Sequence, residues 1–145
     1  MQQLTIAIGA DHAGVEYKQY LITELTKLGY NFIDKGTHSA HSMDYPDVAH
    51  PVATAVENNE ANFGILICGS ANGVAITANK HQNIRAALCW QNDVAALSRQ
   101  HNNANVICIP ARFVAKELAL QMAQIFLNTP FQGGRHATRV SKISC

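Results

Sequence analysis

Residues 65–80 read ILICGSANGVAITANK. An apolar run, Ile65-Leu66-Ile67, meets Cys68 and two glycines, Gly69 and Gly73, and then resumes as the small, helix-compatible run Val74–Asn79. That order spells strand, tight loop, helix. Glycine lets such a loop turn sharply and bring several backbone N–H groups close to one point. The same unit leaves a thiol at the strand end, at the mouth of a parallel α/β sheet.

The unit recurs in both directions along the chain. Leu4–Gly9 reads as a strand. Apolar positions at Val15, Tyr17, Tyr20, Leu21, Leu25 and Leu28 then trace an amphipathic helix closed by Gly29. Asn31–Asp34 is a second strand, followed by a polar loop through Asp47 and a helix through Val52–Glu57, with Pro51 expected in or near its first turn. Strands at Asn62–Cys68, Ile84–Cys89 and Asn105–Pro110 alternate with helices at Asp93–His101 and Val114–Leu127. A short last helix, Arg135–Ser144, places Arg135 and Arg139 on one face. Alternation of this kind implies an α/β fold, a five-stranded parallel sheet covered by helices on both faces. The 145 residues read as a single domain, 1–145.

Composition narrows the function classes. A net charge of +1 provides no global field for nucleic acid or an anionic membrane, so neither is an expected partner. No apolar run reaches the roughly 20 residues of a membrane span. The N-terminus lacks the basic region of a signal peptide, and Asp11-His12 interrupts its first apolar stretch. The four cysteines form no C-x-x-C pair, and three of them end apolar runs. Free thiols in a reducing cytoplasm are therefore expected, with no metal site.

Ligands of open α/β sheets sit beyond the carboxyl ends of the strands. Asp11-His12, the Asp44 loop, Cys68–Gly73 and Arg112 all fall at such ends. Cys68 reads either as a buried strand-end thiol or as a nucleophile or general base, since the following helix N-terminus favours a thiolate. The loop Gly69-Ser70-Ala71-Asn72-Gly73 is neither a P-loop nor a dinucleotide fingerprint. It reads as an ordinary turn or as a cradle for a phosphate or oxyanion. Asp11 reads as a helix cap or a substrate-orienting group, and His101 as a group at a helix end. His38, His41, His50, His81 and His136 read as solvated or locally hydrogen-bonded. Arg112, Arg135 and Arg139 read as surface charge or as a phosphate clamp, because guanidinium matches phosphate oxygens bidentately.

Seven motifs occur in order: Gly9-Ala-Asp11-His12-Ala-Gly14, Asp34-Lys-Gly36-Thr37, Asp44-Tyr45-Pro46, Cys68-Gly69-Ser70, Ala78-Asn79-Lys80, Ser98-Arg-Gln-His101-Asn102 and Gly133-Gly134-Arg135-His136. Together they resemble the type B ribose-5-phosphate isomerases, within the wider family of galactose-6-phosphate isomerase subunits and allose-6-phosphate isomerase. The resemblance implies a Rossmann-like three-layer αβα sandwich and the activity of an aldose–ketose isomerase of the pentose phosphate pathway. It would interconvert ribose 5-phosphate and ribulose 5-phosphate without metal or cofactor, through a cis-enediolate. It implies Cys68 as the base; some members place a glutamate where Val74 stands here.

The Gly69–Gly73 N–H groups, including those of Ala71 and Asn72, would hold the enediolate oxygen. His101, with Asp11 and Ser70, would open the sugar ring. Tyr45 and Asn102 would contact substrate, and His12, Arg112, Arg135 and Arg139 would take the phosphate. A homodimer, sometimes a tetramer, with active sites shared across the interface is implied as well. A six-carbon sugar phosphate is the alternative substrate, and a non-catalytic sugar-phosphate-binding module the alternative role. Family members usually carry glycine where Ala71 stands. Because Asn tolerates positive φ better than Ala, the loop's left-handed residue is expected at Asn72.

Overall fold

The computed structural model describes residues 3–145. Five strands form one parallel sheet: β1 (Thr5–Ala10), β2 (Asn31–Asp34), β3 (Phe63–Cys68), β4 (Ala86–Leu88) and β5 (Val106–Pro110), in the order β2-β1-β3-β5-β4. The helices are α1 (Val15–Thr26), α2 (Pro46–Glu57), α3 (Asn72–Ala78), α4 (Asn92–Gln100), α5 (Lys116–Asn128) and α6 (Arg135–Ser141).

The pleat sorts the strand side chains between two cores. Ile6, Ile8, Ile65, Ile67, Ile107 and Ile109 point to one face, where α1, α4 and α5 bring Leu21, Leu25, Ala95, Met122 and Phe126. The alternate residues Ala7, Leu66, Cys68, Val106 and Cys108 meet α2 and α3 through Val52, Val56, Val74 and Ala78. Each fully buried branched side chain contributes about 1.5–3 kcal/mol. Burial on both faces explains why β3 and β5 read as nearly unbroken apolar runs.

The expected αβα sandwich is therefore present, with one helix placed differently. Pro46 occupies the first turn of α2, and Pro51 lies inside the helix. An interior proline removes an i→i−4 bond at a cost of about 3 kcal/mol. Here the helix also buries Val48, Ala49, Val52, Ala53, Ala55 and Val56, and that continuous apolar face carries it through.

Two connections shape the carboxyl rim of the sheet. Gly14 begins α1 so close to β3 that a Cβ there would sit 2.8 Å from the Ile67 carbonyl oxygen. After β2, the chain folds back on β1 through Ala10 N–H to Gly36 O (2.8 Å) and Thr37 N–H to Ala10 O (2.7 Å). Beneath this turn Lys18, wholly buried on α1, donates to both Asp34 carboxylate oxygens at 2.8 Å. Asp34 Oδ1 also accepts the Gly36 N–H at 2.9 Å.

Candidate active site

The loops beyond β1, β3 and β5 enclose a cleft of about 400 Å³ lined by Asp11, His12, Tyr45, Cys68, Gly69, Ser70, Gly73 and Arg112, together with Ala13 and Phe113. β1 and β3 are neighbours whose outgoing connections leave in opposite directions, which opens a crevice at their carboxyl ends.

Cys68 ends β3 and is 5% exposed. Burial raises its pKa. The backbone N–H groups of Val74, Ala71 and Ser70 act in the opposite direction, and the nearby Asp11 carboxylate adds to the rise. The net direction is upward, so burial outweighs the loop donors and the resting group is a thiol. Cys89 and Cys108 have no such set of donors. Burial pushes Cys89 up to about 11 and Cys108 well above the ordinary range.

The loop's left-handed residue is Ala71 (φ 64°), not Asn72. Asn72 is instead the first residue of α3, with both its backbone N–H (3.3 Å) and its side-chain amide (3.2 Å) directed to Ser70 Oγ. Ala71 lies fully buried, and its carbonyl accepts the helix's Ala75 N–H at 3.2 Å. A buried site that tolerates only a methyl group outweighs the asparagine preference for positive φ. This turn aims the Ser70, Ala71 and Val74 N–H groups at the sulfur.

Close approaches at two glycines fix the walls. A Cβ on Gly73 would lie 2.4 Å from Tyr45 Cε1 and Cζ, so the phenol ring rests on bare backbone. A Cβ on Gly69 would lie 3.2 Å from Arg112 Cδ and Nε. Arg112 is held there by its own N–H to Gly69 O (3.0 Å) and by Ala111 N–H to Cys68 O (2.9 Å). Asp11 does not cap α1, whose N-cap is Gly14. Its Oδ1 accepts the Ala13 N–H at 3.0 Å, an Asx turn that holds the carboxylate at the rim. His12 Nδ1 is buried without a hydrogen-bond partner.

His101, Asn102, Arg135 and Arg139 do not line this cleft. Helices of a parallel sheet run antiparallel to its strands, so the end of α4 lies at the strands' amino ends. His101 caps α4 there, and Asn102 lines a separate cavity of about 610 Å³ with Arg85 and Ile143. Arg99 anchors the turn, donating to Asn103 Oδ1 (3.0 Å) and Thr129 O (3.1 Å) while its guanidinium lies over Phe63. Successive left-handed glycines, Gly133 and Gly134, then turn the chain into α6 beside it. His136 on α6 is buried rather than solvated, and stacks on His101 with ring centroids 4.1 Å apart. Within one chain, Arg112 is thus separated from Arg135 and Arg139.

Sequence reading passed over the Lys18–Asp34 pair and the His101–His136 stack. A lysine in the middle of an amphipathic helix looks like solvated charge, and nothing in spacing announces a ring stack. No group of three or more His, Cys, Asp or Glu among the described residues is arranged to hold a metal ion. No helix among them is long and apolar enough to cross a membrane.

Comparison with known proteins gives a consistent picture. The family model described as Ribose/Galactose Isomerase matches residues 6–143. Ribose-5-phosphate isomerase B of Escherichia coli (strain K12) is 44% identical over 139 residues, covering 96% of this chain and 93% of that protein. A crystal structure of a ribose 5-phosphate isomerase from Thermotoga maritima superposes with a TM-score of 0.96 at 46% identity, covering 99% of both chains. Ribose-5-phosphate isomerase B from Mycoplasma genitalium, solved with bound ribulose-5-phosphate, gives 0.94 at 39% identity over 99% of this chain and 95% of that one. By the extent of the family match and of these alignments, the chain belongs to the Ribose/Galactose Isomerase family.

Proposed function

We propose that this protein is a metal-independent aldose–ketose isomerase that interconverts ribose 5-phosphate and ribulose 5-phosphate. The observation that carries the reading is the position of Cys68. Its thiol sits under converging loop N–H groups, in one cleft with Asp11, Tyr45 and Arg112. Relatives alignable over nearly the whole chain, a ribose-5-phosphate isomerase B among them and one solved with bound ribulose-5-phosphate, support the same substrate pair.

The chemistry follows from those positions. Cys68, as thiolate, takes the proton from C2 of the open-chain aldose. Charge passes to O1, where the Gly69–Gly73 N–H groups stabilise it as an oxyanion. The new S–H returns its proton to C1, and the hydroxyl proton moves from O2 to O1, leaving the ketose and the starting thiolate. Cys68 rests as a thiol, so its deprotonation precedes turnover. The remote phosphate, held by His12 and Arg112, lets binding energy position the reacting carbons.

Ring opening by His101, with Asp11 and Ser70, and phosphate contacts from Arg135 and Arg139 require groups from the opposite rim of the sheet. A homodimer in which one subunit's α4–α6 rim completes its partner's cleft satisfies this requirement, and tetramers can be built from such dimers. Exposed apolar side chains beside the cleft support the pairing: Phe113 is 74% exposed, with Trp90 and Ile76 also uncovered. We read residues 1–145 as one domain acting in the cytoplasm, where its free thiols stay reduced.

Steady-state kinetics with ribose 5-phosphate and with allose 6-phosphate test the assignment. Efficient turnover of the five-carbon sugar is expected. Negligible turnover of it beside brisk turnover of the six-carbon sugar would transfer the assignment to the hexose phosphate.

A further inference from the structure

We infer that His136 is a positioning residue for His101, holding the His101 imidazole in its working orientation by face-to-face stacking. The inference rests on the reading of His101 as the ring-opening group. The rings lie 4.1 Å apart at an interplanar angle of 11°, a nearly parallel stack. His101 ends α4 with its backbone N–H on Leu97 O (2.9 Å), a site where the side chain has lost the constraint of a following helical turn. A flat partner supplies that constraint.

The partner is itself fixed. Its N–H reaches Gly133 O (3.1 Å), Gln132 N–H ties the preceding segment to Gln100 O (3.0 Å), and its ring is buried. Two protonated imidazoles at this distance repel, so the stack holds at most one proton readily. Burial lowers the pKa of His136, and the charges facing it, His101 on α4 and Arg135 and Arg139 on its own helix, act in the same direction. These causes all favour the neutral form of His136. A neutral planar neighbour orients the His101 ring without competing for a proton.

Two replacements separate stacking from mere packing. His136→Leu fills the space without a plane; His136→Phe restores the plane without a titratable group. If His136 only packs α6, a disturbed helix shifts Arg135 and Arg139 and raises KM. If it orients His101, kcat falls while KM stays within about twofold, since a misplacement near 1 Å costs up to about 100-fold in rate.

With ribose 5-phosphate we expect His136→Leu to lower kcat between about 10-fold and 100-fold and His136→Phe to restore it to within about threefold. NMR of the His101 ring protons should show the ring-current shift kept in the Phe variant and lost in the Leu variant. Equal kcat values for the two variants, or a loss confined to KM, would overturn the inference. His101→Ala is run alongside. An active His101→Ala enzyme would remove the ring-opening reading itself. An inactive one beside a fully active His136→Leu enzyme would remove only the role given to His136.

Discussion

The Tyr45 ring lies directly against the Cα of Gly73, where even a methyl group would come within 2.4 Å of the phenol carbons. Tyr45 is partly exposed and has room to swing away. Gly73→Ala should therefore cost less than about 1 kcal/mol of stability while lowering kcat/KM by about tenfold or more, because the displaced ring no longer walls the cleft. Urea unfolding combined with steady-state kinetics checks both halves. Gly14→Ala is the contrast: its Cβ would meet backbone at the Ile67 carbonyl, so stability should fall by about 1–3 kcal/mol.

Asp11 bears on the Cys68 thiol through charge. Its carboxylate disfavours the thiolate and helps hold the Cys68 pKa above the ordinary value. Asp11→Asn should lower that pKa, giving more thiolate at any given pH below it. In a Cys145→Ser background, the rate of iodoacetamide alkylation against pH reports Cys68. The Asp11→Asn curve should lie at lower pH than the parent curve, and superimposable curves would show that Asp11 exerts no such influence.

Lys18 and Asp34 should respond unequally to replacement. The lysine side chain is 0% exposed and the aspartate 27%. Asp34→Asn strands a buried ammonium and should cost about 3–5 kcal/mol. Lys18→Met leaves a carboxylate that water can reach and an apolar side chain in an apolar setting, so its cost should be clearly smaller. Chemical denaturation of both variants measures the ordering.

How much of this was legible in the chain follows from where the information lay. The apolar runs of β3 and β5 and the glycines around Cys68 write the parallel sheet and its central loop openly, since burial on two faces leaves little choice of residue. Pro51 misleads because proline's local cost says nothing of the apolar face that overrides it. Asn72 misleads because its preference for positive φ says nothing of the burial at position 71, where alanine takes the left-handed conformation. The cleft's own members could be placed from strand ends. The position of His101 also follows from helix direction once α4 is known to return antiparallel to the strands.

If a partner's rim completes each cleft, two defective chains can repair one another. Mixed dimers of Cys68→Ala and His101→Ala chains contain one site built from the intact half of each. Equal mixing with random assortment should restore about one quarter of wild-type activity from two nearly inactive parents. Unfolding and refolding the mixture before assay ensures exchange; no recovery would count against a site shared by Cys68 of one chain and His101 of the other.

If the proposed site draws Cys68 from one chain and His101 from the opposite rim of its partner, a kinetic consequence follows. A catalyst assembled from both rims has no fixed turnover per molecule. Below the dissociation constant of the pair, the rate becomes second order in protein, and dilution alone silences chains that remain folded.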